Sequence, residues 1–199
     1  GAWSLTDGYQ APGQIPVDVG AAEVDVYTSG PLKWLCGGPG LSYLFVREDR
    51  IGEMHPRFTS WFAAKDQFAF DLEHFEFRDD ARRFELGTPS LPTVHLALGG
   101  QRALASVGWD RVFARVRELT DHLMGRCDEA GLTLRTSRDP ARRSGIVMVA
   151  HPDPKGAVAH LDAMDIVVDH RPGHVRISPH VYNTVDEVDR VVDALLGTL

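Results

Sequence analysis

Apolar residues in the first fifty positions come in short runs closed off by glycine and proline, whereas beyond residue 90 they recur every three or four positions. The first texture is that of strands and tight turns. Trp3-Ser-Leu-Thr-Asp-Gly-Tyr-Gln10, Glu23-Val-Asp-Val-Tyr27 and Leu41-Ser-Tyr-Leu-Phe-Val46 are too short for useful helices, and turn formers bound them. Residues 50–90 carry Phe58, Trp61, Phe62, Phe68, Phe70, Phe75 and Phe77 with no clean period and read as an irregular connector. From Pro89 the spacing predicts a helix over 91–106. It predicts a second from Trp109 to Cys127, with Val112, Val116, Leu119, Leu123 and Met124 on one face and Gly131 as its stop. Leu132-Thr-Leu134 and Ile146–Ala150 read as strands around a polar turn, Ser137–Gly145. Pro154 opens a helix to about Met164, and Ile166-Val-Val168 and His174–Ser178 read as strands. Thr184 with Glu187 forms a capping box for a last helix whose buried stripe is Val185, Val188, Val191, Val192, Leu195 and Leu196.

Composition narrows the class. The 199 residues are 43% hydrophobic and 25% charged, an ordinary globular balance. A net charge of -7 and a pI near 5.7 argue against a general nucleic-acid or anionic-membrane surface, which needs clustered positive charge, so small metabolites are the expected partners. Cys36 and Cys127 lie far apart, with no metal or redox spacing, which fits a reducing cytoplasm. No apolar run approaches the roughly 20 residues of a membrane span. The start, Gly1-Ala-Trp, lacks a signal-peptide pattern and an initiator methionine, and reads as that of a processed chain or a piece of something longer.

Lys33 is the most informative residue. It sits in Thr28-Ser-Gly-Pro-Leu-Lys-Trp-Leu-Cys-Gly-Gly-Pro-Gly40 between two strand-like runs, with apolar Leu32, Trp34 and Leu35 beside it. Desolvation by such neighbours would push an amine toward the neutral form that condenses with an aldehyde. The plain alternative is a surface lysine in a Gly/Pro turn. Asp7 and Gln10 close the first strand-like run, so an acid and an amide would meet the amine at one sheet edge, a set that suits a pyridoxal phosphate ring. The alternative for Asp7-Gly8 is a turn in which the carboxylate binds nearby backbone. In His174-Val-Arg-Ile-Ser178, Val175 and Ile177 share one strand face and Arg176 takes the other. Its fork would clamp a carboxylate there, or form a salt bridge on a solvated face.

Other chemistry lacks its hardware. Pro172-Gly173 puts a turn between His170 and His174, so no metal is proposed. No phosphate-binding P-loop, dinucleotide fingerprint or serine-hydrolase elbow is present. Arg138, Arg142 and Arg143 read as a solvated basic loop rather than a phosphate or carboxylate site.

Taken in order, Asp7 to Gln10, Lys33 to Gly40, Gly87-Thr-Pro-Ser90 and Val175-Arg-Ile-Ser-Pro-His-Val-Tyr-Asn183 resemble the class V aminotransferases, the kynureninase, cysteine desulfurase and isopenicillin N epimerase-like group of pyridoxal-phosphate enzymes. The resemblance implies an α/β chain of the aspartate-aminotransferase type, but only its second half. Residues 1–50 would be the last strands of the cofactor-binding large domain, 51–90 a connector, and 91–199 the C-terminal α+β domain. It implies a Schiff base at Lys33, Asp7 on the pyridine nitrogen, Gln10 on the ring oxygen and Arg176 on the carboxylate of an amino acid substrate. It also implies a homodimer in which Thr88, and Trp61 in Thr59-Ser-Trp-Phe62, approach the phosphate of the neighbouring subunit's cofactor. Ser60 replaces the glycine that kynureninases carry before the tryptophan. Leu32 replaces the Tyr or His that kynureninases and desulfurases carry before the lysine, which makes desulfurase chemistry less expected. The phosphate-cradling helix and the ring-stacking aromatic belong to the family's first half, so the 199 residues alone are expected to be inactive unless a companion chain completes them. Transamination, kynureninase-like hydrolysis, elimination and epimerisation stay open, and the alternative is a non-catalytic remnant kept as a folding or dimerisation module.

Overall fold

The computed structural model describes residues 1–199, which divide into two compact units, residues 1–12 with 17–103 and residues 13–16 with 104–199. In the first, the early apolar runs form a three-stranded sheet of β1 (Leu5–Asp7), β2 (Val26–Ser29) and β3 (Tyr43–Val46), in that order. β1 runs parallel to β2 with Leu5 opposite Val26 and Asp7 opposite Thr28, and β3 returns antiparallel with Val46 opposite Val26. A one-turn helix, α1 (Glu48–Ile51), follows. Val26, Val46 and Ile51 make a small apolar cluster.

Asp25 ties these pieces together. Its carboxylate accepts from the Ser4 N–H at 2.9 Å and the Ser4 hydroxyl at 3.1 Å, and it pairs with Arg47 at 3.0 Å and Arg50 at 3.1 Å. The Ser4 backbone donor first, and then Arg50, hold its carboxyl down to about 2.

Residues 51–90 hold two short 3₁₀ turns, Trp61–Ala63 and Ala81–Phe84, and one isolated bridge, Ala64 to Phe77. Arg83 is buried here, and its guanidinium donates to the Arg78, Ile51 and Met54 carbonyls, which replaces regular ladders with side-chain bonds. α2 (Leu91–Val107) then begins, and its small residues let the lysine-bearing turn lie against it. A Cβ added to Gly37 would lie 2.8 Å from the Ala97 Cα, and one on Gly100 would lie 2.4 Å from the Cys36 carbonyl oxygen.

The second unit packs α3 (Trp109–Glu129), α4 (Pro154–Asp162) and α5 (Val185–Leu196) with an antiparallel sheet of β4 (Val147–Ala150), β5 (Asp169–Arg171) and β6 (His174–Ile177), ordered β4-β6-β5. Leu119, Leu123 and Cys127 of α3 meet Val147 and Val149 of β4, Val175 of β6, Leu161 of α4 and Leu195 of α5, all fully buried. Burial lifts the Cys127 thiol to about 11, so it packs as a small apolar group. Gly131 takes a φ of 71° after α3. The Thr184 hydroxyl accepts from the Glu187 N–H and the Glu187 carboxylate accepts from the Thr184 N–H, which completes the expected capping box.

Two expected strands differ. Ile166-Val-Val168 forms none; the ladder falls on the polar Asp169–Arg171. The two-residue Pro172-Gly173 turn sets that register, pairing Arg171 with His174 and Asp169 with Arg176, and overrides the apolar run. Leu132–Leu134 makes only a single bridge, Leu134 to Val149.

Gly100→Ala should destabilise the protein, by about 1–3 kcal/mol for overpacking, although the same change in an open helix stabilises by roughly 0.5–1 kcal/mol. Urea unfolding decides, and a gain in stability would count against the close approach of turn and helix. For Asp25, a carboxyl depressed from 3.8 to about 2 adds stability above the higher value that disappears as pH falls through the lower. The difference in Tm between wild type and Asp25→Asn should therefore shrink between these pH values, and a constant gap would remove the charged role.

Candidate functional site

Because β1 and β2 are parallel, the chain leaves both at the same end, and this brings Asp7 to Gln10 beside the turn that carries Lys33. The junction is tight. The Gly8 N–H donates to the Thr28 carbonyl at 2.9 Å, and the Tyr27 and Ser29 hydroxyls donate to the Gly8 carbonyl at 3.3 and 3.4 Å. A Cβ on Gly8 would lie 1.8 Å from the Tyr27 oxygen and would displace that ring, and one on Gly30 would lie 2.2 Å from the Tyr9 oxygen and 2.9 Å from the Leu41 carbonyl.

The Lys33 turn is closed by the Cys36 N–H on the Lys33 carbonyl at 3.0 Å and the Gly37 N–H on the Pro31 carbonyl at 2.7 Å, with Cys36 at a φ of 54°. The Lys33 ammonium has no carboxylate partner and lies 5.4 Å from the centre of the Tyr9 ring, a cation–π contact. Tyr9 is held by its hydroxyl, which donates to the Leu41 carbonyl at 3.3 Å. The burial expected for the amine is not what the structure shows. Lys33 is exposed, Leu32 is 46% exposed, and Trp34 and Leu35 turn inward at 6% each. A tight turn fans successive side chains outward and inward, so apolar neighbours in sequence do not desolvate it.

Asp7 is exposed, and its Oδ1 accepts from the Tyr9 N–H at 2.9 Å, the local backbone bond a turn aspartate makes. It forms no ion pair. Burial, and then the Asp7 charge, push the Tyr27 phenol up from its ordinary range. The Gln10 Oε1 accepts from the Trp34 indole N–H at 3.0 Å, which orients the amide.

Trp61 packs its ring among Phe62, Phe68 and Phe70, and its indole N–H donates to the Gln67 carbonyl. Ser60 caps that turn: its hydroxyl accepts from the Phe62 N–H at 3.2 Å and donates to the Glu85 carbonyl at 2.6 Å, just ahead of Gly87-Thr88. Thr88 is exposed before α2.

In the second unit Arg176 lies on β6 between Met148 and Asp169, on the face opposite the buried Val175 and Ile177, as the alternation predicts. Its Nη2 pairs with Asp169 at 3.2 Å, while its Nε is buried and has no partner. Arg171 first, and then Arg176, help hold the Asp169 carboxyl below its usual range. Tyr9, Trp34 and Asp169 are the neighbours that sequence reasoning missed. Only Asp169 had a visible cue, since counting outward from Pro172-Gly173 pairs it with Arg176.

The family profile described as Aminotransferase class-V matches residues 1–191. An uncharacterized aminotransferase of Bacillus subtilis (strain 168), YcbU, is 27% identical over 98% of the chain and 51% of its own length. The isopenicillin N epimerase of Streptomyces clavuligerus is 30% identical over 98% and 52%. The apo structure of a cysteine desulfurase from Thermococcus onnurineus NA1 superposes with a TM-score of 0.87 at 23% identity, over 98% of the chain and 52% of that protein. The chain thus spans about half the length of the curated relatives it matches. With the profile running along nearly all of it and the fold shared with those solved enzymes, the chain belongs to the aminotransferase class-V family of pyridoxal-phosphate-dependent enzymes.

Proposed function

We propose that the whole protein is a pyridoxal-phosphate enzyme acting on an amino acid, with Lys33 as the residue that binds the cofactor covalently. The observation that carries this reading is the meeting of an unpaired amine, a carboxylate without an ion pair and an oriented amide at one end of a parallel strand pair. That donor set fits the group. The acid suits a protonated ring nitrogen, the Gln10 N–H suits a ring oxygen, and the amine suits the aldehyde. When bound, pyridoxal phosphate supplies an electron sink for breaking a bond at the substrate's α-carbon.

Asp7 would pair with the protonated ring nitrogen of the bound group, and Lys33 would take and return protons at the substrate's α-carbon as general base and acid. Arg176 accepts the substrate carboxylate on the edge of its guanidinium that Asp169 leaves open. Thr88 and Trp61 serve the phosphate of a second copy's cofactor, which makes the working protein a homodimer. Transamination, kynureninase-like hydrolysis and lyase chemistry use these same groups. The alternative is a non-catalytic folding or dimerisation module.

Added pyridoxal phosphate should give the longest form of the protein a visible absorption band that Lys33→Ala abolishes. A folded protein with no band supports the non-catalytic alternative, and a band that survives Lys33→Ala removes the covalent role. Arg176→Gln should leave the band and raise KM for the amino acid by roughly ten- to hundredfold, the loss of a hydrogen bond to a charged group. An unchanged KM would assign Arg176 to the Asp169 pair alone.

A further inference from the structure

Arg143 does not sit in the solvated loop that its sequence neighbourhood suggests. Its side chain is only 7% exposed, against 55% for Arg138. Nη1 donates to the Arg138 carbonyl at 2.8 Å and Nη2 pairs with Asp121, but Nε is buried and meets no acceptor. It lines a cleft of about 50 Å³ in the second unit, between α3 and the segments 13–16 and 143–145. Arg117, one turn before Asp121 on α3, lines the same cleft half-buried and makes no ion pair or hydrogen bond. Two guanidinium groups therefore line one cleft, and only Arg143 has a carboxylate partner, the half-exposed Asp121.

We propose that this cleft binds a small oxyanion, a phosphate or a carboxylate, through Arg117 and Arg143. Burying a guanidinium with an unmet N–H is costly, and the cost is relieved when an acceptor of opposite charge completes its hydrogen bonds. The walls suit that purpose. Phe113, Val116 and Ile15 are apolar and lower the local screening, which strengthens an ion's attraction to the two cations. The Gln14 Oε1 accepts from the Gly145 N–H at 2.6 Å, which ties segment 13–16 to segment 143–145, and the Thr120 hydroxyl donates to the Val116 carbonyl at 2.7 Å. Burial, followed by the charge of Arg117, lowers the Arg143 pKa from its ordinary value. The volume admits an inorganic ion or a carboxylate group rather than a whole metabolite.

The test follows the Nε–H resonances of arginine and the Gly145 N–H by NMR while inorganic phosphate replaces chloride at constant ionic strength. Arg143 and Gly145 should shift saturably, and the midpoint should rise about tenfold or more in Arg117→Gln, which removes a partnerless side chain and leaves the fold intact. Acetate in place of phosphate separates the two occupants, and a saturable response to either supports the site. Shifts absent for both anions, equal in Arg117→Gln, or confined to the Lys33 turn would overturn it.

Discussion

A parallel ladder only three residues long, Leu5 to Asp7 against Val26 to Thr28, is the constraint on which the candidate site depends. Parallel strands end side by side, so the segment Asp7 to Gln10 and the turn that carries Lys33 touch, through Tyr9 with Lys33 and Gln10 with Trp34. So short a ladder is weak by itself, and its ends are reinforced. At one end Asp25 gathers Ser4, Arg47 and Arg50; at the other, Gly8 and Gly30 let the Tyr27 and Tyr9 hydroxyls come closer than any side chain would permit. The stability of the sheet and the placement of its polar groups thus rest on the same few contacts.

The second unit uses the opposite arrangement. A helix-covered core holds one face of β6 rigid through Val175 and Ile177, and the alternation of the strand delivers Arg176 to the other face as a half-buried cation. Asp169 meets only part of that cation. The remaining N–H is directional as well as charged, which is the geometry by which arginine, unlike lysine, selects a planar carboxylate.

Helix spans, the capping box and the Val175/Ile177 face were legible because period and caps are local properties: α3 and α5 emerge from spacing alone. The misreadings have one cause, which is that burial is set by the chain's path and not by its neighbours in sequence. Ile166–Val168 looks more like a strand than Asp169–Arg171, yet the Pro172-Gly173 turn chose the register. Arg143 stands among loop-forming polar residues and is buried, while Lys33 stands among apolar ones and is exposed.

The exposure of Lys33 bears directly on the proposed chemistry. The amine lies open to water, with the face of the Tyr9 ring 5.4 Å away. All three residues of β1 are exposed as well, with Leu5 at 70%. β1 lies at the open edge of its sheet, with exposed Leu5 and Asp7 beside the exposed Lys33 turn. On the proposed reading, the chain positions the amine, acid and amide, and the bound cofactor would itself cover them from water.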